Sequence, residues 1–231
     1  MPQRSRAARA RRTPRRHTND GARRQAALLR LTTAIASAAD EAAVYRAMVE
    51  GLHDEALGYN FLGAFLREER TGDRVLQASV GWPDAPPNYR ARRGEGLSDR
   101  VLEDGQLRYT PDVSRAAGYL PSPARGAEVD VPLRVDGQVI GVLVVESAEP
   151  NAFGAEDFEI LTAAANQASI AIGRARLLAE ERRRVDEHKA LLDTMADLSS
   201  DLELSRVLQA VLNRAVTLLG VTGGEVAIYD E

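Results

Sequence analysis

Gly94-Glu95-Gly96-Leu97-Ser98, followed by Asp99 and a helical run, brings together two glycines one residue apart, a hydroxyl and a helix start. These are the ingredients of a phosphate cradle, but the chemistry does not close. A dinucleotide fingerprint needs a third glycine where Asp99 stands, and a phosphate loop needs a Gly-Lys-Ser/Thr ending that is missing. A carboxylate there also repels phosphate. The same residues fit a structural corner better, with an anion site as the second reading. Leu97 and Leu102 hold the positions of a hydrophobic staple around an N-cap at Ser98, Asp99 suits the positive helix end, and Gly105 is placed as a left-handed stop. Catalytic patterns are missing elsewhere too. No Ser-His-Asp order, HExxH run or cluster of metal ligands appears, and Asp112, Asp130 and Glu146 have no evident basic or metal partner. The chain reads as a non-enzyme.

Binding chemistry is easier to find. The stretch Gly81–Gly96, GWPDAPPNYRARRGEG, is a long loop, and long loops in compact domains are usually functional or mobile. Trp82, Tyr89, Tyr109 and Tyr119, with Leu120, offer aromatic and apolar faces with polar handles. They either line a small-molecule pocket or plug the domain's own core. Arg92 and Arg93 are positioned either to neutralise an anionic ligand or to stand in solvent.

The elements that must position these residues can be read from periodicity. Leu28, Leu31 and Ile35 mark a helix from Ala26; Asp40 caps a second one, whose inner face carries Val44, Ala47, Met48, Leu52 and Leu57. NFLGAFLR and RVLQASV read as strands joined by a turn at Thr71-Gly72-Asp73. Asp136-Gly137 is a two-residue hairpin turn requiring positive φ at both positions. Counting outward from it pairs Leu133 with Ile140, Val131 with Val142 and Val129 with Val144. That leaves Val139, Leu143 and Val145 on the opposite face, which residues 82–126 must cover. A long helix follows Gly154, with Phe158, Leu161, Ala165, Ala168, Ile172, Ala175 and Ala179 at heptad-like spacing.

Composition bounds the class. The net charge of −4 hides a split: residues 1–24 hold nine arginines and one acid, leaving 21 basic and 33 acidic residues in the body. Such a tail has no apolar face to bury, so residues 1–25 are expected to be disordered, with nucleic acid or a membrane surface as partners only through this basic segment. No secretory signal fits, and no apolar run approaches a membrane span, which points to a cytoplasmic protein. Zero cysteines exclude disulfides, thiolate nucleophiles and thioether-linked chromophores.

Taken in order, GEGLSDRVLEDGQLRYTPDVSR, VPLRVDGQVIGVLVVES and AFGAEDFEILTAAANQASIAIGRARLL resemble the core of a GAF domain over residues 26–180. The resemblance implies an α+β, PAS-related fold: an antiparallel sheet of five to six strands, N- and C-terminal helices on one face, and a loop-covered pocket on the other. It implies a sensory module that binds a small molecule, commonly ahead of histidine kinases, cyclases and transcriptional activators. The departures are informative. Covalent bilin attachment and reduction of free methionine sulfoxide both use cysteines in this family. The Asn-Lys…Phe…Asp-Glu pattern of its cyclic-nucleotide phosphodiesterase members is not evident. Heme wants an axial histidine, whereas His17, His53 and His188 fall in the tail, the first helices and a charged linker. The cofactor stays unknown.

A partial repeat extends the reading. LLRLTTAIASAADEAAVYRAMV at 28–49 resembles LLDTMADLSSDLELSRVLQAVL at 191–212, which implies a helical linker at 181–198 and the start of a second GAF domain at 199–231, cut from a longer tandem protein with a downstream output domain. Leu178, Val185, Leu192 and Met195 extend an apolar line along the long helix. A parallel homodimer would cover it, made marginal by EERRRVDEHK and by a three-residue step between Ala175 and Leu178. The other reading is a ligand-free adapter of the same fold.

Overall fold

The computed structural model describes residues 17–83, 85–86 and 88–227. They fall into two compact units, one ending at Arg176 and the other starting at Leu177. The first opens with α1 (His17–Ser37) and α2 (Glu41–Leu52). The break between them is the expected cap: Asp40 is extended and its carboxylate accepts from the Ala43 N–H at 2.7 Å. Helix α1 begins at His17 rather than Ala26, which corrects the disordered tail of residues 1–25; residues 1–16 lie outside the described residues. Arg24 pairs with Glu156 at 3.0 Å and Asp157 at 3.7 Å, at the start of α4 (Ala155–Leu219), a partnership that the charge run concealed.

The sheet has six strands: β1 (Phe61–Arg67), β2 (Arg74–Val80), β3 (Arg90–Ala91), β4 (Arg108–Thr110), β5 (Ala127–Val135) and β6 (Gln138–Ser147). Their order is β3-β2-β1-β6-β5-β4, antiparallel throughout. Each expected hairpin is present. The two-residue β3 is an addition, lying inside the long loop after Gly81. One sheet face is covered by α1, α2 and the first part of α4. Leu31, Ile35, Met48, Leu52, Leu161, Ala165, Ala168 and Ile172 pack there on Leu62, Ala64, Val129, Val131, Leu133, Leu143 and Val145. Ala165 and Ala168 of α4 therefore serve close approach to the domain's own sheet.

The hairpin departs from the counted register. Asp136 and Gly137 take φ of 50° and 79°, as the turn requires. Two residues on, however, Leu133 pairs with Gly141 and Arg134 with Val139, so Ile140 is an extra residue, a β-bulge. Because strand side chains alternate, one extra residue exchanges the faces. Leu143 and Val145 lie under the helices, while Val142 and Val144 face the other way with Phe65, Leu76, Val101 and Leu102. Counting from the turn could not reveal a bulge inside the strand.

In the second unit α4 runs unbroken to Leu219, so the paired helices expected at 191–212 are one helix, and the described residues 221–227 form no strand. The stretch Ser199-Ser200-Asp201 has no proline or glycine, and each of its residues costs a helix only a few tenths of a kcal/mol. Gly220, at φ 61°, ends the helix.

The bulge leaves a mark that can be tested. A Cβ added at Gly141 would lie 2.1 Å from the Phe65 carbonyl oxygen, which is backbone and cannot turn aside. Gly141→Ala is expected to lower the urea unfolding free energy by roughly 2 kcal/mol with an unchanged m-value. An unaffected midpoint would mean that β1 and β6 are not in this register.

A candidate ligand site on the open face of the sheet

The face opposite the helices holds a cavity of about 540 Å³. Its floor is β1, β2, β5 and β6, and its walls are the loop 81–98 and the segment 120–125. Trp82, Tyr89 and Leu120 line it as the sequence suggested. Tyr119 stands at its edge, with its hydroxyl 3.3 Å from the Glu146 carboxylate on the floor. Tyr109 does not belong to it. Its ring packs on Phe158 at 5.2 Å and Phe153 at 6.2 Å, on the helical side, because a three-residue strand gives alternate residues opposite faces. Neither Arg92 nor Arg93 lines the cavity; Arg93 borders a separate polar cleft with Arg67 and Asp99.

Trp82 is seated by the backbone beneath it. A Cβ on Gly63 would come within 2.3 Å of its ring, so the bare glycine of β1 is what lets the indole lie flat against the sheet. The indole tilts on Phe65 at 5.9 Å and donates from Nε1 to Glu146 at 3.1 Å.

Charge defines the rest of the site. Ser98 does not cap α3 (Asp99–Asp104) as expected; its side chain makes no cap bond. It turns inward, and its hydroxyl accepts from Arg74, which also donates to the Glu95 carbonyl. Arg74 is 2% exposed, with its Nε 3.9 Å from Asp99. The Gly94–Ser98 corner is thus held by a buried guanidinium rather than built around phosphate, and Gly105 ends α3 in the left-handed conformation, φ 68°.

Among the described residues, three further buried acids, on the strands of the same face, stand beside this buried cation and Asp99. Glu128 and Glu146, each 4% exposed, are direct cross-strand partners, and Asp130, 1% exposed, follows Glu128 by one alternation. Neither oxygen of Asp130 has a hydrogen-bond donor. Burial pushes Glu146 up to about 7, with the Glu128 charge adding to the rise. Burial likewise lifts Asp130 to about 7 and Glu128 well above the carboxylate range. The nearby Asp130 charge adds to the rise at Glu128. Sequence reasoning saw Glu146 and Asp130 without partners and missed Arg74 and Glu128. The signal available was the acid–valine alternation of Glu128-Val129-Asp130-Val131, which marks a polar face on a strand whose other face is core. Among the described residues no group of three His, Cys, Asp or Glu is disposed to hold a metal ion. His53 has a packing role, its Nδ1–H donating to the Tyr59 carbonyl at 2.8 Å.

Comparison with known proteins places this architecture. Residues 38–173 match the family model of the GAF domain. The chain belongs to the GAF domain family. One GAF copy is matched, and no second is shown. Protein YtsP of Bacillus subtilis (strain 168) is 30% identical over 104 residues, 45% of this chain and 62% of that protein. A dual 3',5'-cyclic-AMP and -GMP phosphodiesterase 11A of Takifugu rubripes is 26% identical over 147 residues, 62% of this chain and 16% of that protein. The matches thus span less than two thirds of either relative. Among solved structures, the free methionine-R-sulfoxide reductase from Neisseria meningitidis, in complex with its substrate, is 26% identical with a TM-score of 0.61, covering 68% of this chain and 92% of that one. A methyl-accepting chemotaxis protein segment is 28% identical with a TM-score of 0.56, covering 64% of this chain and 98% of that one. The GAF domain of an Acinetobacter phosphoenolpyruvate-protein phosphotransferase shares the fold at 23% identity and a TM-score of 0.60, over 67% and 95% of the two chains. GAF domains are small-molecule-binding modules of signalling proteins, and no helix among the described residues is long and apolar enough to cross a membrane.

The raised acids set a pH dependence. Between the ordinary carboxylate range and about 7 the folded domain binds protons that the unfolded chain releases, so stability is fully present at the acidic end and is lost as pH rises through about 7. Acids lowered by partners, such as Glu68 beside Arg90, act only below that window. The unfolding free energy without ligand is expected to fall between about pH 5 and pH 8, with a shallower slope in Glu146→Gln. A stability that rises over this interval would contradict the burial of these carboxylates.

Proposed function

We propose that this GAF domain is a sensor that binds, without turning it over, a small molecule with a positively charged amine and an apolar body. The observation that carries this reading is the Glu128–Glu146 cross-strand pair, two like-charged groups directly opposite each other in a cavity otherwise walled by Trp82, Phe65, Tyr89 and Leu120. Like charges so placed repel, and a bound cation turns that repulsion into attraction. The apolar wall suits the ligand's body, and Arg74 and Arg125 at the cavity border suit a carboxylate if it has one. A relative supports the same chemistry: the reductase from Neisseria meningitidis is named for a free amino acid derivative and holds its substrate in the complex. A chain without cysteine has no access to the thiol chemistry that the family resemblance attaches to such reductases, which leaves binding. A cavity of about 540 Å³ favours sensing over the ligand-free adapter.

The signal then passes through α4. Leu178, Val185, Leu192 and Met195 are exposed along it, and a second copy of the helix in parallel is the partner that covers them in our reading. Relatives in chemotaxis and phosphotransfer proteins support a signalling context and an output domain.

Two measurements test this. Free apolar α-amino acids are expected to raise the melting temperature, and their N-acetyl forms, which lack the positive charge, are expected not to; equal behaviour of the two sets would remove the amine. In sedimentation, the unmutated chain is expected to dimerise at tens of micromolar, roughly the range of a marginal contact, and the Val185→Asp, Leu192→Asp double variant to run as a folded monomer. A monomeric parent would reduce α4 to a spacer.

A further inference from the structure

Glu146 makes two contacts that together span the cavity mouth. Its Oε2 accepts from Trp82 Nε1 at 3.1 Å, and Trp82 belongs to the loop 81–89 after β2. Its Oε1 lies 3.3 Å from the Tyr119 hydroxyl, in the segment before β5. The two loops come from opposite edges of the sheet, and Glu146 on the central strand β6 is a group to which both are bonded. We infer that Glu146 is a clasp: its carboxylate ties both mouth loops to the sheet, and a cation or a proton taken up by that carboxylate frees one of them. The ligand half of this inference rests on the amine reading above; the proton half does not.

The mechanism follows from donor and acceptor capacity. An ionised carboxylate accepts from both donors at once, and such charge-assisted bonds are about twice as strong as neutral ones. Once protonated, Glu146 keeps one good acceptor oxygen. Tyr119 has a single proton and a second acceptor waiting, the Ala124 carbonyl at 3.1 Å. Ser122, 2.8 Å from the Tyr119 hydroxyl, completes the alternative arrangement. Tyr119 can therefore leave Glu146 without losing a partner, and Trp82 is left with a single weaker bond to a neutral acid. A ligand ammonium at the same oxygens competes with both donors in the same way.

Access to Glu146 does not depend on the ligand's route. The residue also lines a second cavity of about 320 Å³ at the end of the sheet, bordered by Tyr59, Phe153 and Asp157. The charged and titratable groups facing it are Glu128 and Asp130 on β5, Arg74 on β2, Tyr119 and Arg125 in the 111–126 segment, and Tyr59, Glu149 and Asp157 around the second cavity. Of these, the acids raised by burial besides Glu146 are Glu128 and Asp130, and neither bonds to Trp82 or Tyr119.

The test uses the full chain and its single tryptophan, which is Trp82 itself. Acrylamide quenching of Trp82 is expected to increase as pH falls through about 7, the value to which burial raises Glu146. Amide exchange in 81–89 and 117–124, corrected for intrinsic rates, is expected to speed about tenfold, the fold-change of losing one charge-assisted bond. The melting temperature rises over the same interval, because the raised acids favour the acidic end. Loosening of the mouth with simultaneous stabilisation of the fold separates the clasp from general unfolding, which moves both in the same direction. Glu146→Gln is expected to abolish the pH response of Trp82, while Glu128→Gln keeps it and shifts it to lower pH. Flat quenching between about pH 5.5 and 8.5 in the unmutated chain overturns the clasp with no variant needed. If that response is present but free amino acids neither shift the melting temperature nor change the quenching, the clasp stands and the amine reading falls.

Discussion

A single extra residue in β6 decides what this domain's pocket is made of. Ile140 has no partner on β5, and past it the hairpin continues one step out of the register that its turn would impose. Without the bulge, Glu146 would share a face with Val129 and Val131, under the helices, where a carboxylate has no place. With it, Glu146 comes to lie directly across from Glu128 on the open face, and Leu143 and Val145 take the buried helical side. The hydrophobic core and the charged site are thus assembled by the same irregularity. It is held by the close approach of Gly141 to the Phe65 carbonyl on β1.

The site that results is expensive in electrostatic terms. Glu128, Asp130 and Glu146 are almost fully removed from water beside one guanidinium, and that guanidinium is already engaged by Ser98, the Glu95 carbonyl and the buried Asp99. Packing alone would favour apolar side chains at these positions. In the proposed reading, acids retained at the edge of ionisation are a store of binding energy for a cationic ligand. Arg74 and Glu146 share the work differently: Arg74 fixes the Gly94–Ser98 corner as a permanent wall, whereas Glu146 holds the two mouth loops through bonds that its own charge state controls.

The sequence made the scaffold legible because it is encoded locally. The cap at Asp40, the positive-φ turn at Asp136-Gly137, the left-handed stop at Gly105 and the spacing of Leu161, Ala165, Ala168 and Ile172 each depend on a few neighbouring residues, and each stands as read. For Trp82, Tyr89 and Leu120 the residue types left a pocket wall and a core plug equally open, and it is the sheet's open face that makes them line a cavity. What failed was non-local. Tyr109 faces the helices because of where a short strand joins the sheet edge. Ser98 abandons its capping role for an arginine 24 positions earlier. The helical start of α1 depends on Arg24 meeting acids more than a hundred residues away. The paired helices expected near 191–212 are one unbroken helix, since nothing there breaks one.

The central claim is that the open face of the sheet holds acidic carboxyls poised near neutrality. Carbon-13 NMR of side-chain carboxyls in protein labelled at Glu and Asp, followed from acid to alkaline pH without ligand, measures this directly. The account predicts that Glu146 and Asp130 titrate around 7 and Glu128 well above the ordinary carboxylate range, apart from the surface acids. Titration of every carboxyl near the ordinary value of about 4 would contradict it.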